Sequence, residues 1–441
     1  MAASEGHPEL PPAEVARSLR CSYVHGLLGT IFGASVGGMF LTGCALKLGA
    51  SNLQIGILAA IPNALSFMQL WSAYVLERSG ARRRLCLRSS MLSVSVWAVV
   101  AAMPFVLPAD PPWLRLYTLF AVVGIAAAAG MVAGNSWTAW IADLVPADRY
   151  GRFFARRSMI AGPAAMAFAM LEGVFLDWAK TLQAFCTVFA VGVAAGWASI
   201  AALGRQADVP MARRRAETGE HLPFRHLLAE AVRDRQLRAI TLFVVLWRFA
   251  WMVSMPFYMV FMLDSLGMRF LWVGGLTTTY SVVGVLCNPF WGAIADRTGG
   301  KRMVVWTSAL ATLGAMPWLL VGTGNFWYLL PAIYAYTAFF DTGWGLGLMT
   351  LLLGSLPKEG RSVYLALYGA VTGTFATVAP VIGGALAGLV QAQAWRPWGL
   401  DALQVVFAVS MALAVLFLPV ARLLGEGKQS PPVLAAGPDM E

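Results

Sequence analysis

Two ionisable residues stand deep inside apolar runs of the chain, where a charge is costly to keep and usually serves a pathway. Arg248 lies about ten residues into a run near 238–263, and Asp341 about halfway along another near 326–354. At a rise of about 1.5 Å per residue, Arg248 is roughly 15 Å from the nearer end of its span. Both are therefore expected near the midplane of a bilayer. A carboxylate there can take up a proton or a cationic group. The guanidinium can hold an anionic group or keep the carboxylate ionised. A permanent structural ion pair is the alternative, and the sequence leaves both open. Trp247, Trp251 and Trp344 flank the two charges. They would suit an aromatic or amphipathic solute, or serve as large packing residues. Asn135 and Trp137 offer polar and stacking contacts in a run near 114–143, although Asn135 equally suits a bond between helices. Glu172 lies near the end of a run at 154–177 and belongs either to an exit path or to a structural pair. His25, at the start of the first run, reads as an interface residue ahead of a proton relay.

The elements that must position these side chains follow from composition. The chain is 59% hydrophobic and 12% charged, with mean hydropathy +0.67. A soluble domain would carry about twice that charged fraction. Twelve apolar runs are counted, near 22–46, 52–76, 86–107, 114–143, 154–177, 182–203, 238–263, 270–295, 302–322, 326–354, 362–390 and 400–424. Most exceed the roughly 20 residues that cross hydrocarbon as a helix. Strands of a membrane barrel would be shorter and alternate in polarity. The expected class is an all-α membrane protein.

The net charge of +10 would suggest nucleic acid in a soluble protein. Here the basic residues crowd into alternate short loops, where they set topology. With the N-terminus inside, the inner segments hold Arg78, Arg82, Arg83, Arg84 and Arg88, then Arg149, Arg152, Arg156 and Arg157. Arg297, Lys301, Arg302, Lys358 and Arg361 fall on the same side, against only Lys47, Arg115, Lys180, Arg269 and Arg396 outside. Both termini are expected in the cytoplasm of a cell with this protein in its inner membrane. The polar start does not read as a cleavable signal peptide, since it flows into a full span. The five cysteines form no CxxC pair, so neither a disulfide framework nor a metal site is expected.

The long polar insertion at 205–237 divides six spans from six. The expected organisation is a cytoplasmic tail (1–21), a first bundle (22–204), this linker, a second bundle (238–424) and a C-terminal tail (425–441). Within the linker, Leu227, Leu228, Ala231 and Val232 share one face of an amphipathic segment running to Arg238. It reads as an interfacial helix on anionic lipid, or equally as a solvated linker.

A charged turn recurs at half-length. Gly292-Ala-Ile-Ala-Asp296-Arg297-Thr-Gly299-Gly-Lys301-Arg302 sits between two apolar runs, and a degraded copy with Glu77, Arg78 and Gly80 lies in the first half. A second pair places Asp143, Pro146, Arg149 and Arg152 after the fourth span, and Pro357, Glu359 and Arg361 after the tenth. Two such pairs at the same spacing indicate an internal repeat. Gly299 is expected to permit a left-handed turn, and Gly292 to let two helices approach. Asp296, at a helix C-terminus, is disfavoured by its own dipole and should seek an arginine or an opposing N-terminus. That makes the turn a conformational latch, or else a topology signal only.

Over roughly residues 20–425 this pattern resembles the major facilitator superfamily. The second-half turn carries Gly292, Asp296, Arg297, Gly299, Lys301 and Arg302 at every defining position of the superfamily signature. The first-half copy has Ala73 and Glu77 where the signature has Gly and Asp. The resemblance implies twelve transmembrane helices in two pseudo-symmetric six-helix bundles, with the seventh and tenth helices bordering a central cavity. It also implies a secondary transporter that moves a small organic solute by alternating access. Proton coupling and efflux are expected. The fourth span lacks the membrane arginine of the family's antiporters, since Phe120–Ala129 is apolar apart from Gly124. Ala379-Pro380-Val-Ile-Gly383-Gly384 of the eleventh span recurs in antiporters but reads equally as a packing motif.

No nucleophile triad, phosphate loop or ligand cluster is present, so an enzyme is disfavoured and no cofactor is expected. The expected partners are the solute, protons and the bilayer, without nucleic acid, for a monomeric chain. The competing class is a non-transporting sensor or assembly factor with the same fold. Within transport, a nutrient uptake symporter or facilitator competes with efflux.

Overall fold

Backbone polar groups in hydrocarbon have no water to bond, so an apolar run must satisfy them internally as a helix. The computed structural model describes residues 11–79, 81–108, 110–145, 150–208, 224–356, 361–393 and 397–425, and helices dominate it. The first span is built from α1 (Pro12–Val36) and α2 (Gly38–Lys47), the second from α3 (Asn52–Ala64) and α4 (Met68–Ser79), and the third from α5 (Arg82–Ser95), α6 (Trp97–Ala101) and α7 (Met103–Val106). Single long helices follow: α8 (Pro112–Leu144), α9 (Tyr150–Ala179) and α10 (Leu182–Gly204). After the short α11 (Phe224–Arg233) come α12 (Arg235–Val260), α13 (Phe270–Thr298), α14 (Gly300–Ala315), α15 (Phe326–Ser355), α16 (Arg361–Ala392) and α17 (Ala402–Phe417).

Eleven helical stretches among the described residues are long and apolar enough to cross a membrane. The 30-residue α15 is the twelfth long element. The result is the twelve-span all-α fold.

Breaks in the spans have local causes. Gly37 is extended and Gly38 takes a φ of +49°, which separates α1 from α2. Helix starts are capped from the chain itself: Ser51 with Gln54, and Asp401 with Gln404, each form a reciprocal capping box.

The described chain forms two compact units. The first comprises Met1–His221, Met255–Gly275 and Pro380–Leu389, and the second Leu222–Ser254, Leu276–Ala379 and Val390–Glu441. Glycine notches pack the first unit. A Cβ on Gly192 would fall 2.8 Å from Ser35, and one on Gly196 equally close to Val94. In the Ala379–Gly384 segment, Gly384 abuts the carbonyl oxygen of Asn52, and the Pro380 carbonyl oxygen sits against Gly56. That segment therefore packs helices closely. At the start of α13, Phe270 stacks with Phe40 and meets Phe185 edge-on. Asp177 of α9 accepts the Phe270 and Leu271 backbone N–H groups at 2.8 and 3.0 Å, and Arg269 lies 3.6 Å from it.

In the second unit, Phe243, Val244 and Trp247 of α12 form a core with Val304 and Ala311 of α14 and Leu351 of α15. Gly300 closely approaches backbone there, its Cα facing Gly347 and Leu351. Gly292 has open space where a Cβ would stand. This corrects the expectation that Gly292 admits a close helix: the close approach belongs to Gly300, eight positions on.

The linker helix is also shorter than expected. It ends at Arg233, because the Asp234 side chain accepts the Leu237 N–H and starts α12. Ala231 is buried in the core of the second unit, while Val232 is exposed. The expected four-residue apolar face is thus divided.

Candidate functional site

Asp341 sits midway along α15, and its carboxylate accepts a hydrogen bond from the Tyr280 hydroxyl of α13 at 2.9 Å. Among the described residues no ion pair joins it to Arg248. The structure thus gives Asp341 a phenol as partner, in place of the guanidinium considered from sequence. Arg248, half-buried on α12, lies within electrostatic reach of the Tyr368 hydroxyl of α16. Trp247 is buried one residue away and stacks with Phe243, its ring centroid 6.0 Å from that of Trp251. Trp251, Trp344 and Tyr368 pack on the same core, half-buried. The buried indole nitrogens of Trp251 and Trp344 have no hydrogen-bond partner among the described residues. The second unit therefore holds a carboxylate, a guanidinium and several aromatic faces, with donors still available.

The other sequence candidates fall in the first unit. Glu172 is 7% exposed and accepts a hydrogen bond from Ser35 at 2.6 Å, while its Oε2 has no partner among the described residues. Asn135 donates to the Gln69 carbonyl at 3.3 Å, a bond between helices. Trp137 carries the Arg157 guanidinium over its ring, with Cζ 4.5 Å from the centroid. Beside them, the Ser199 hydroxyl donates to the His25 carbonyl at 2.9 Å and lies 2.8 Å from His25 Nδ1.

Sequence reasoning placed Arg157 among the topology-setting arginines and His25 at the interface. The structure brings both to one cavity with Trp137. The available signal was position: Arg157 stands inside the apolar run near 154–177, like Arg248 in its own run.

The charged turn is described in part. Gly299 takes a φ of +77°, the left-handed region that its place between α13 and α14 requires. Arg297 and Arg302 are exposed and Lys301 is half-buried. The side chains of Asp296, Glu77, Arg78, Asp143 and Arg361, and the residues Gly80 and Arg149, lie outside the described residues. Arg152 is exposed. Two basic residues after the second span bind helix-end carbonyls: Arg82 donates to Ala139 and Arg83 to Gly204. Among the described residues no group of His, Cys, Asp and Glu could hold a metal ion.

Twelve long helical elements among the described residues, eleven of them apolar enough to cross a membrane, carry a repeated charged turn and polar groups, and define a multi-pass membrane protein of the transporter class. The chain belongs to the Major Facilitator Superfamily, whose family model matches residues 24–276 and 245–438. Among solved structures, a variant of the nucleoside transporter NupG superposes with a TM-score of 0.71 at 12% identity, covering 92% of this chain and 100% of that one. A D-xylose–proton symporter gives 0.66 at 16% identity over 94% and 99%. A bacterial homologue of the lysosomal transporter Spinster, inward-facing and occupied, gives 0.67 at 12% identity over 94% and 97%. A comparison with curated proteins finds no match. At these identities the structural likeness establishes the fold alone.

Proposed function

We propose that this chain is a proton-coupled secondary transporter that moves a small organic solute across the inner membrane by alternating access of its two six-helix halves. The observation that carries this reading is the membrane-embedded Asp341, held by a neutral phenol and no cation among the described residues. A structural charge in hydrocarbon is normally neutralised by a fixed counter-ion. Asp341 instead remains available to a proton or to a cationic group of the solute. Arg248, one of the few cations within a span, supplies the complementary charge for an anionic group. The aromatic set of Trp247, Trp251, Trp344 and Tyr368 suits a flat or amphipathic organic molecule. Solutes of that kind favour export as the direction.

Glu172 is a second intramembrane carboxylate with no cation among the described residues, and its Oε2, unpartnered among them, suits a proton carrier in the first unit. Both termini lie in the cytoplasm in this reading, which the loop arginines support, and the working unit is the monomer. The turn around Gly299 acts as a latch between conformations.

A metabolite library should identify the solute through thermal stabilisation of the purified protein, since a ligand of the folded state raises its stability by mass action. Transport of the hit is then measured in proteoliposomes under an imposed pH gradient. No stabilising solute, and no gradient-dependent flux across the panel, would favour a non-transporting membrane sensor.

A further inference from the structure

The first unit holds an open cavity of about 330 Å³ among α1, α5, α8, α9 and α10, a size within the range that holds small ligands. Gly134 of α8 leaves open space at its wall, while Gly29, Gly130 and Gly196 let Ser199, Ser93 and Val94 pack beside it. Arg157 of α9 enters over Gly26 of α1, where a Cβ would stand 2.4 Å from the guanidinium Nε. On its other side the guanidinium lies over the Trp137 ring. The side chain is thus fixed between a backbone notch and an aromatic face.

Its polar partners are incomplete. Among the described residues neither Arg157 Nε nor Trp137 Nε1, both buried, has an acceptor. Among the described residues no carboxylate forms a salt bridge with Arg157. Ser199, the hydroxyl beside them, is already engaged by His25. Guanidinium and indole nitrogens only donate. What completes the set must therefore accept hydrogen bonds and carry negative charge.

We propose that the cavity of the first unit is a binding site for a small organic anion, its carboxylate or phosphate oxygens held by Arg157 and Trp137. The site lies wholly within the first unit and is separate from the Asp341 and Arg248 groups of the second. A charge-assisted bond from guanidinium to oxyanion is the strongest interaction the cavity offers. The glycine-walled space leaves room for the body of the anion beside it. The oxyanion could arrive on a soluble molecule or as the phosphate of a lipid headgroup.

Thermal unfolding of the purified full-length protein in an uncharged detergent tests this. Sodium benzoate and sodium phosphate are compared with sodium chloride at equal ionic strength, and phosphatidylglycerol with phosphatidylcholine. At least one oxyanion probe should raise the unfolding midpoint above its control. Arg157→Gln should weaken that apparent affinity about tenfold or more. Trp137→Phe, which keeps the ring and removes the N–H, should weaken it several-fold. Gly26→Ala should act like Arg157→Gln with the charge retained, because its methyl displaces the guanidinium. Response to benzoate or phosphate identifies a soluble anion, and response to phosphatidylglycerol alone identifies a headgroup. If no probe stabilises the protein, or the response is equal in wild type, Arg157→Gln and Trp137→Phe, the proposal is overturned. Should Arg157→Gln fail to fold, Trp137→Phe and Gly26→Ala decide alone.

Discussion

Removing the Asp177 carboxylate should destabilise the first unit far more than removing Arg269, although both belong to the same ion pair. Asp177 is 5% exposed, and its two oxygens separately accept the Phe270 and Leu271 N–H groups. Those are unsatisfied donors of the first turn of α13, where a negative charge also meets the positive end of the helix dipole. A hydrogen bond to a charged group contributes about 1.5–3 kcal/mol, so two weakened by partial water replacement suggest ~3 kcal/mol for Asp177→Ala. Asp177→Asn keeps one acceptor oxygen and should lose about half of that. Arg269 is 67% exposed at 3.6 Å, and an exposed pair contributes about 0–1 kcal/mol. At roughly 2 °C per kcal/mol for a unit of this size, Asp177→Ala should lower the melting midpoint by ~6 °C. Arg269→Ala should lower it by less than ~2 °C on the same scale. The assay is thermal unfolding of the purified protein in one detergent at fixed salt. Equal losses for Asp177→Ala and Arg269→Ala, or no loss for Asp177→Ala, would refute the assignment of the energy to the helix-start donors.

Two further outcomes concern packing. Gly300→Ala should cost about 1–3 kcal/mol of stability by overpacking, since its Cβ would strike the Leu351 and Gly347 backbones. Gly292→Ala, with open space at that point, should leave the melting midpoint unchanged or slightly higher, because alanine is the better helix former. Gln404→Leu should cost about 1–3 kcal/mol, because its buried amide donates to the carbonyls of Trp318, Leu319 and Val321. Paired melting curves of wild type and each variant check all three.

What the sequence made legible depended on how local the cause was. Helices followed from run length, because a span in lipid has few alternatives. The left-handed turn at Gly299 was readable, since its spacing after Asp296 and Arg297 marks a helix end. The close approach at Gly300 was hidden, because it depends on α15 passing with Gly347 at the crossing. Gly292, prominent in the motif, faces open space. Asp341 stood out against its apolar neighbours, yet its partner Tyr280 is 61 residues away and carries no signal of its own. Arg157 was masked by Arg152 and Arg156 beside it, which are exposed. Its union with Trp137 and His25 requires three helices to pack first. The linker face divided because Ala231 is small enough to enter the core, while Val232, next to it, points away.

The central claim is that Asp341 couples proton movement to solute movement. It is tested most directly in proteoliposomes that carry an internal pH indicator and are supplied with the solute found by thermal stabilisation. Wild type should move protons when solute is added and accumulate or expel solute against its gradient when a pH difference is imposed. Asp341→Asn, inserted at wild-type level, should lose solute-dependent proton movement, and Arg248→Gln should lose solute transport. Full proton-coupled transport by Asp341→Asn would contradict the account.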